Sequence, residues 1–241
     1  MANFVLIHGA WGGGHTFNRT AADLRADGHS VQVVALRGLG ARRNELSPAI
    51  TLSDHVADAM QQIDEAGFER FVLAGHSYGG MIITQLSALL GARIDALCYI
   101  DAFLPADGQS LWDITGDYEH HWYIDSQKRT PGLVAPIGDV QFEDSDSGKG
   151  RHPLLTLVEA VQLGGDESLI PRRAYILATR WQPTPFPRFA EQVRQDDAWE
   201  YHEVDATHMV MTDQPAQLLS ILTGLVGQRA DNCRLGSQSD E

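Results

Sequence analysis

Residues 71–80 read FVLAGHSYGG, and the order of residue types in this stretch decides the fold class. The four apolar residues 71–74 predict a buried strand. Residues 75–79 fit the pattern Gly-x-Ser-x-Gly, and an apolar helical stretch follows to about Leu90. A strand, a tight turn and a helix in this order hold Ser77 at the tip of a strained turn. The stretch therefore predicts one strand–helix unit of an α/β fold.

Short apolar runs and amphipathic stretches alternate on both sides of this unit. The alternation is typical of a parallel sheet with helices on both faces. The predicted strands are 4–8, 31–36, 71–74, 96–101, 173–179 and 200–204. The predicted helices are 15–27, 53–66 with Ser53 and Asp54 as caps, one ending near 90, one beginning near 186, and 214–226.

Residues 104–172 interrupt the alternation without a strand pattern. They contain an aromatic cluster (Trp112, Tyr118, Trp122 and Tyr123), an acidic loop at 143–150 and a predicted helix at 153–163. Because α/β sheets bind ligands at the carboxyl ends of their strands, we interpret this insertion as a cap over the site. The alternative is a surface excursion. The predicted organisation is a core of 1–103 and 173–227, a cap of 104–172 and a flexible tail of 228–241.

Charge and composition restrict the partners of this chain. It has 241 residues, 43% of them hydrophobic, and a formal net charge of −14. Nucleic acid and anionic membranes both require a basic patch, so neither is an expected partner. The cytoplasm is the expected location, since no basic leader and no bilayer-spanning apolar stretch is visible. The expected partner is a small molecule, and the oligomeric state stays open, a homodimer included.

Ser77 is the candidate nucleophile. A side chain two residues before or after it would collide with a neighbouring strand or helix, which explains Gly75 and Gly79. The N-terminus of the following helix directs backbone N–H groups to the place where negative charge would develop. The alternative role of Ser77 is a simple helix cap.

A second glycine-rich turn, residues 8–14, reads HGAWGGG. One interpretation is a cradle for a pyrophosphate. However, the spacing is not Gly-x-Gly-x-x-Gly, and the next strand ends in Leu36 and Arg37 without the acidic residue that would hold a ribose. We therefore favour an oxyanion turn, in which the amides of Ala10 and Tyr78 point at the developing charge.

His208 is the candidate general base. It follows the last predicted strand and precedes the final helix, which completes the chain order Ser, acid, His. It would take the proton of Ser77 and return it to the leaving group. His76 is expected to pack beside the turn. The adjacent His120 and His121 have no spaced partner for a metal site, so neither a metal nor another cofactor is predicted.

Three motifs carry a resemblance to a known family: HGAW at 8–11, GHSYGGM at 75–81 and DATHM at 205–209. Together they resemble the small α/β-hydrolases related to plant methyl-salicylate esterases and hydroxynitrile lyases, including their bacterial carboxylesterase relatives. The similarity runs from residue 3 to about 226 and is weakest in the insertion. It implies the α/β-hydrolase fold, with a six-stranded, mainly parallel sheet, a helical cap, and hydrolysis of small carboxylic esters.

The acid of the triad is where this chain departs from those families. Their acid follows the strand that corresponds to 173–179, whereas this chain continues RWQP and has no carboxylate before Glu191. Asp101 ends the fourth strand at the same sheet edge, a position that pancreatic lipases and some other α/β-hydrolases use. We therefore expect Asp101 to orient His208; its alternative role is to cap the following turn. Asp205 is the weaker candidate, because it lies so close to His208 in sequence.

The expected activity is cleavage of a carboxylic ester of a small apolar, aromatic-bearing molecule through an acyl-enzyme. Core packing explains the candidate pocket residues equally well; they are Trp11, Trp112, Trp122, Tyr123 and Trp181. Three alternatives use the same fold: a hydroxynitrile lyase, a cofactor-free dioxygenase and a non-catalytic small-molecule receptor. The lyases place a lysine directly after the histidine, where this chain has Met209.

Overall fold

The computed structural model describes residues 1–137, 150–181 and 184–226. Six of its strands form one parallel sheet. They are β1 (Asn3–Ile7), β2 (Ser30–Val34), β3 (Phe71–Ser77), β4 (Ile94–Ala102), β7 (Arg173–Ala178) and β8 (Trp199–Val204). Two shorter strands, β5 (Leu133–Val134) and β6 (His152–Pro153), pair with each other outside this sheet.

The spatial order of the large sheet is β2-β1-β3-β4-β7-β8. Every residue of β3 is buried, because apolar clusters pack on both faces of the sheet. The predicted six-stranded parallel sheet is confirmed. Strand β3 extends three residues beyond its apolar run, since the backbone of Gly75, His76 and Ser77 stays paired with β4. The ends of β3 and β4 therefore lie side by side at the carboxyl edge.

The helices pack against this sheet and against the insertion. They are α1 (Asn18–Ala26), α2 (Leu52–Glu65), α3 (Gly79–Leu90), α4 (Asp117–Gln127), α5 (Leu155–Val158), α6 (Phe186–Arg194), α7 (Val210–Asp213) and α8 (Pro215–Gly224). The predicted cap of α2 is confirmed for Asp54, whose carboxylate accepts from the Thr51 amide in a capping box. It was wrong for Ser53, which lies inside the helix, because Thr51 is the N-cap and accepts from the Asp54 amide. The predicted last helix, 214–226, corresponds to α8; it begins at Pro215, which disfavours helical backbone in the residue before it, and the short α7 that precedes it was not predicted.

The insertion differs from its sequence prediction at two points. It contains the antiparallel pair β5 and β6, although no strand was predicted. The predicted helix 153–163 is limited to the single turn α5, because Glu159 is extended and the Val161 N–H donates to the Gln109 carbonyl instead of to its own turn. The acidic loop at 143–150, apart from Gly150, and the tail at 228–241 lie outside the described residues. Among the described helices, none has the length and apolar character needed to cross a membrane.

Candidate active site

Ser77 is the last residue of β3, and its backbone is strained. Its φ angle is +54°, a left-handed value that non-glycine residues rarely adopt. A Cβ on Gly75 would lie 2.7 Å from the Gly79 carbonyl oxygen, and a Cβ on Gly79 would lie 2.6 Å from the Ile7 carbonyl oxygen. Only glycine fits at both positions, as the sequence predicts. The close approach of α3 and β1 therefore holds Ser77 at the tip of the turn.

The glycine-rich loop after β1 lies directly against this turn. A Cβ on Gly9 would come within 2.9 Å of the Ser77 Cβ. Trp11, two residues further on, has a φ of +57° and turns the chain away. Among the described turns and loops, neither the Ala10 nor the Tyr78 amide donates a hydrogen bond to the backbone. Their role as oxyanion donors stays a prediction.

Asp101 and His208 meet at the carboxyl edge of the sheet. Asp101 Oδ2 lies 2.7 Å from His208 Nδ1, and Asp101 Oδ1 accepts from the Ala178 N–H at 3.1 Å. The Asp101 side chain is fully buried, whereas that of His208 is 20% exposed. Asp101, the next-to-last residue of β4, also has a positive φ, +42°, so β3 and β4 each carry a left-handed residue at their carboxyl end. The hydrogen bond that a triad acid requires is thus present, while its catalytic role stays a prediction.

Burial dominates the electrostatics of this pair. It raises the pKa of Asp101 to about 7, although the Ala178 amide and the nearby His76 act in the opposite direction. An ionised Asp101 accepts a hydrogen bond from the protonated Nδ1 of His208. The lone pair of the neutral ring is then on Nε2. This tautomer is the one that a general base needs.

His76 connects the nucleophile turn to the His208 loop. Its Nε2 lies 2.8 Å from the His208 carbonyl oxygen, and the two rings are 4.3 Å apart. Since a carbonyl can only accept, His76 carries its proton on Nε2. Burial lowers the pKa of His76 to about 3, so the ring is neutral. The sequence predicted only that His76 packs beside the turn; this bond to the His208 backbone has no sequence signal.

The His208 loop is also attached to the end of β7. Asp213 accepts from the Thr207 amide and hydroxyl at 2.8 and 2.7 Å. Arg180 pairs with Asp205 at 3.1 Å and with Asp213 at 3.4 Å. The Asp205 side chain is 79% exposed. Asp205, the weaker acid candidate, is thus engaged with an arginine at the surface.

Comparison with known proteins agrees with this geometry. The model of the alpha/beta hydrolase family matches residues 4–221. The chain belongs to the α/β-hydrolase family. A carbendazim-hydrolysing esterase of Nocardioides sp. (strain SG-4G) is 33% identical over 93% of this chain and 100% of its own length. Polyneuridine aldehyde esterase of Rauvolfia serpentina is 26% identical over 91% of this chain and 94% of its own.

A solved structure shows the same fold. An extracellular α/β-hydrolase from a Paenibacillus species, described as sharing structural and functional homology with tobacco salicylic acid binding protein 2, superimposes with a TM-score of 0.79. It is 22% identical, and the match covers 93% of this chain and 99% of that one. The resemblance to the small esterases is confirmed, and the relatives support a hydrolase of the esterase type.

Only one of the five candidate pocket residues of this α/β-hydrolase is in ring contact with His208. Trp181 stacks on the His208 imidazole with centroids 4.1 Å apart. Trp11 follows Ala10 and donates its indole N–H to the Val134 carbonyl at 3.0 Å. The remaining three pack within the insertion: Trp112 stacks on His120, Trp122 donates to Ala135, and Tyr123 is buried beside Trp112.

A buried polar chain behind the nucleophile escaped sequence reasoning. The Tyr78 hydroxyl lies 2.9 Å from His55 Nδ1, and His55 Nε2 lies 2.9 Å from the Arg37 carbonyl oxygen. Because that carbonyl needs a donor, His55 is protonated on Nε2 and Tyr78 donates to Nδ1. The ring of His152, from the insertion, packs 4.7 Å from Tyr78. The side chain next to Ser77 is therefore anchored to both α2 and the insertion.

The described residues contain no group of three or more His, Cys, Asp or Glu side chains that could hold a metal ion. The site geometry consists of a strained serine beside the Gly9 loop and an imidazole bonded to a buried carboxylate.

Proposed function

We propose that this α/β-hydrolase cleaves a carboxylic ester of a small, apolar, aromatic-bearing molecule through an acyl-enzyme. The observation that carries the proposal is the 2.7 Å hydrogen bond between Asp101 Oδ2 and His208 Nδ1. It is formed beside a nucleophile turn whose strain is of the kind that persists at functional sites. The esterase relatives, which match nearly the whole chain, support the same class of reaction.

The proposed reaction begins with attack of Ser77 Oγ on the ester carbonyl, while His208 Nε2 takes the serine proton. Asp101 stabilises the imidazolium that forms and keeps the correct tautomer. The tetrahedral intermediate then expels the alcohol, which receives the proton from His208. In the second half, His208 takes a proton from a water molecule that attacks the acyl-enzyme. The bond between the acyl group and Ser77 Oγ then breaks, His208 returns the proton to Oγ, and the acid is released.

The proposed oxyanion donors are the amides of Ala10 and Tyr78. Their support is the contact of the Gly9 loop with the Ser77 Cβ and the absence of turn or loop bonds from either amide within the described chain. Removing one oxyanion donor from a hydrolase typically costs about 100- to 1000-fold in kcat. Displacement of the Ala10 or Tyr78 amide should therefore lower kcat.

The proposed substrate class follows from the aromatic side chains next to the site. Trp181 stacks on His208, and Trp11 directly follows Ala10, so a flat apolar group would find aromatic neighbours. The Nocardioides relative is described as hydrolysing carbendazim, which makes that compound a rational member of a test panel. The lyase alternative is disfavoured because Met209 stands where those enzymes have lysine.

The test is a panel of p-nitrophenyl esters of rising acyl length, together with methyl esters of aromatic acids and carbendazim, assayed with the parent and Ser77→Ala. We expect Ser77→Ala to lower kcat/KM by at least about 1000-fold, because triad members act as a unit. A fluorophosphonate probe should label the parent and not the variant.

Ser87→Ala is the matched control, since Ser87 is a buried serine of α3 whose hydroxyl donates to the Thr84 carbonyl of its own helix. It should stay within about threefold of the parent. Ser77→Ala activity within about tenfold of the parent would overturn the assignment of the nucleophile. Oxygen consumption with a heteroaromatic substrate would favour the dioxygenase, and ligand binding without labelling or turnover would favour a receptor.

A further inference from the structure

Trp181 covers the His208 imidazole with the face of its indole. The two ring planes are inclined by only 26° at a centroid distance of 4.1 Å, which is a stack and not an edge contact. Phe186 at the start of α6 presents a second ring, 5.3 Å away and inclined by 10°. Trp181 and Phe186 also touch each other, at 5.8 Å. His208 therefore lies against an aromatic surface formed by Trp181, which follows β7, and Phe186, the first residue of α6.

An aromatic face is negative, so it attracts a cation placed over it, and tryptophan does so most strongly. The interaction is stronger where water is reduced, and the His208 side chain is only 20% exposed. In the proposed mechanism, His208 is neutral in the free enzyme and positive in each transition state. A face-on indole thus interacts more favourably with the transition state than with the ground state, which is the condition for acceleration.

The other groups around His208 come from three further elements. Asp101 of β4 bonds Nδ1, and the neutral His76 of β3 packs beside the ring. From the loop before α7 and from α7 itself, Asp205 and Asp213 face Arg180, which pairs with both. The carboxylates of Asp205 and Asp213 are thus partly compensated by Arg180, and among the described contacts Asp101 and Trp181 directly favour the imidazolium.

We propose that Trp181 is a positioning residue that stabilises the protonated form of His208 through the π-face of its indole. This inference rests on the proposed role of His208 as general base. It gives a role to the segment after β7, which in the resembling families supplies the acid: here the same segment supplies an aromatic face, and the acid comes from β4. Trp181 would act on the reaction through His208, whether or not its edge also touches substrate.

The kinetic test compares Trp181→Phe and Trp181→Leu with the parent over a pH range of 5 to 9. Leucine keeps apolar cover and removes the ring. We expect the acidic limb of kcat/KM to move to lower pH by about 0.5 to 1.5, and its plateau to fall about 3- to 30-fold. Phenylalanine should give an intermediate shift, with KM little changed in either variant. The acidic limb reports the titration of the coupled Asp101–His208 pair. The quantity compared is therefore the shift of the limb between variant and parent, and not an absolute pKa of His208.

A spectroscopic test requires no turnover. Protonated imidazole quenches a stacked indole, so the emission of Trp181 should follow the titration of His208. Trp112 stacks on His120 in a similar pair, which makes assignment by variants necessary. One quenching step of the parent should be lost both in Trp181→Phe and in His208→Gln. Trp199→Phe, a control at the start of β8 near Arg173, should retain this step and normal kcat/KM.

Two results would overturn the inference. One is an unmoved acidic limb in Trp181→Leu with an altered KM, which would make Trp181 a substrate contact only. The other is the absence of any quenching step shared by Trp181 and His208. Failure of the proposed function gives a different result. If Ser77→Ala does not lower esterase turnover, the kinetic test says nothing about Trp181. The quenching step would still show whether Trp181 responds to the charge of His208.

Discussion

The ends of β4 and β7 lie next to each other in the sheet and act on His208 in different ways. The next-to-last residue of β4 is the buried, left-handed Asp101, whose carboxylate accepts a hydrogen bond from His208 Nδ1. β7 ends in Ala178, whose amide bonds the other carboxylate oxygen, and continues into Arg180 and Trp181. Two adjacent strand ends can therefore reach one imidazole. In this chain one end supplies the carboxylate, and the other supplies an amide that donates to it and an indole that stacks on the imidazole.

Among the variants that test this comparison, Asp101→Asn should have the largest effect on kcat. The amide should favour the wrong tautomer of His208, so we expect kcat to fall about 1000- to 10,000-fold while the fold is kept. Asp205→Asn is the matched control, because Asp205 is an exposed carboxylate near His208 in sequence; it should stay within about threefold. Steady-state kinetics with circular dichroism checks both. The opposite ranking of the two variants would move the acid to Asp205.

The same substitution should show what the buried carboxylate does to stability. The pKa of Asp101 is raised from 3.8 to about 7 by burial, so its carboxyl favours the folded state at low pH, and that contribution is lost as the pH rises toward 7. Asparagine does not ionise. Relative to the parent, Asp101→Asn should thus gain free energy of unfolding between pH 5 and pH 8, by up to about 3 kcal/mol.

Urea denaturation of both proteins at the two pH values measures this gain. Hydrogen bonds altered by the asparagine act at both pH values alike, so they cancel in the difference. The exposed Asp205→Asn should show no comparable pH-dependent gain. Parallel pH dependences for Asp101→Asn and the parent would mean that Asp101 is not a strained, ionised group at neutral pH.

The smallest expected effect concerns Arg180, which ties the end of β7 to the His208 loop. Its ion pairs are half-exposed, so Arg180→Ala should cost less than about 1 kcal/mol of stability. A small shift of the His208 loop should still lower kcat/KM about 2- to 10-fold. Arg70→Ala removes a similarly exposed pair, with Asp95 at the other end of the sheet, and should leave kcat/KM unchanged. Equal kinetics for the two variants would make the Arg180 contact irrelevant to positioning.

The core and the insertion differ in how far local sequence patterns determine them. The inner strands β1, β3, β4 and β7 contain short apolar runs that are typical of a buried parallel sheet, so their existence and order are readable. In the insertion, backbone groups bond to distant segments: the Trp112 amide to the Leu157 carbonyl, and the Val161 amide to Gln109. An apolar period near 153–163 was misread as a helix because these partners lie about 45 to 52 residues away.

Within the site, the predictable part is the one that glycines and chain order restrict. The Gly75 and Gly79 positions specify where Ser77 must lie, and the Ser–acid–His order selects His208 from ten histidines. Asp101 was chosen by its place at a strand end, and the structure brings it to His208. The tautomer-defining bonds of His76 and His55 could not be foreseen, because their acceptors are backbone carbonyls of loops far along the chain.

By itself, the sequence determined the sheet, the strained serine turn and the family, because strand burial and glycine requirements are local properties that a pattern records. Only the tertiary structure decided which groups surround His208. The contacts of Asp101, His76 and Trp181 with that imidazole join residues 27 to 132 positions apart, at distances of about 3 to 4 Å that no spacing rule encodes. They exist because four chain segments end at one edge of the same sheet.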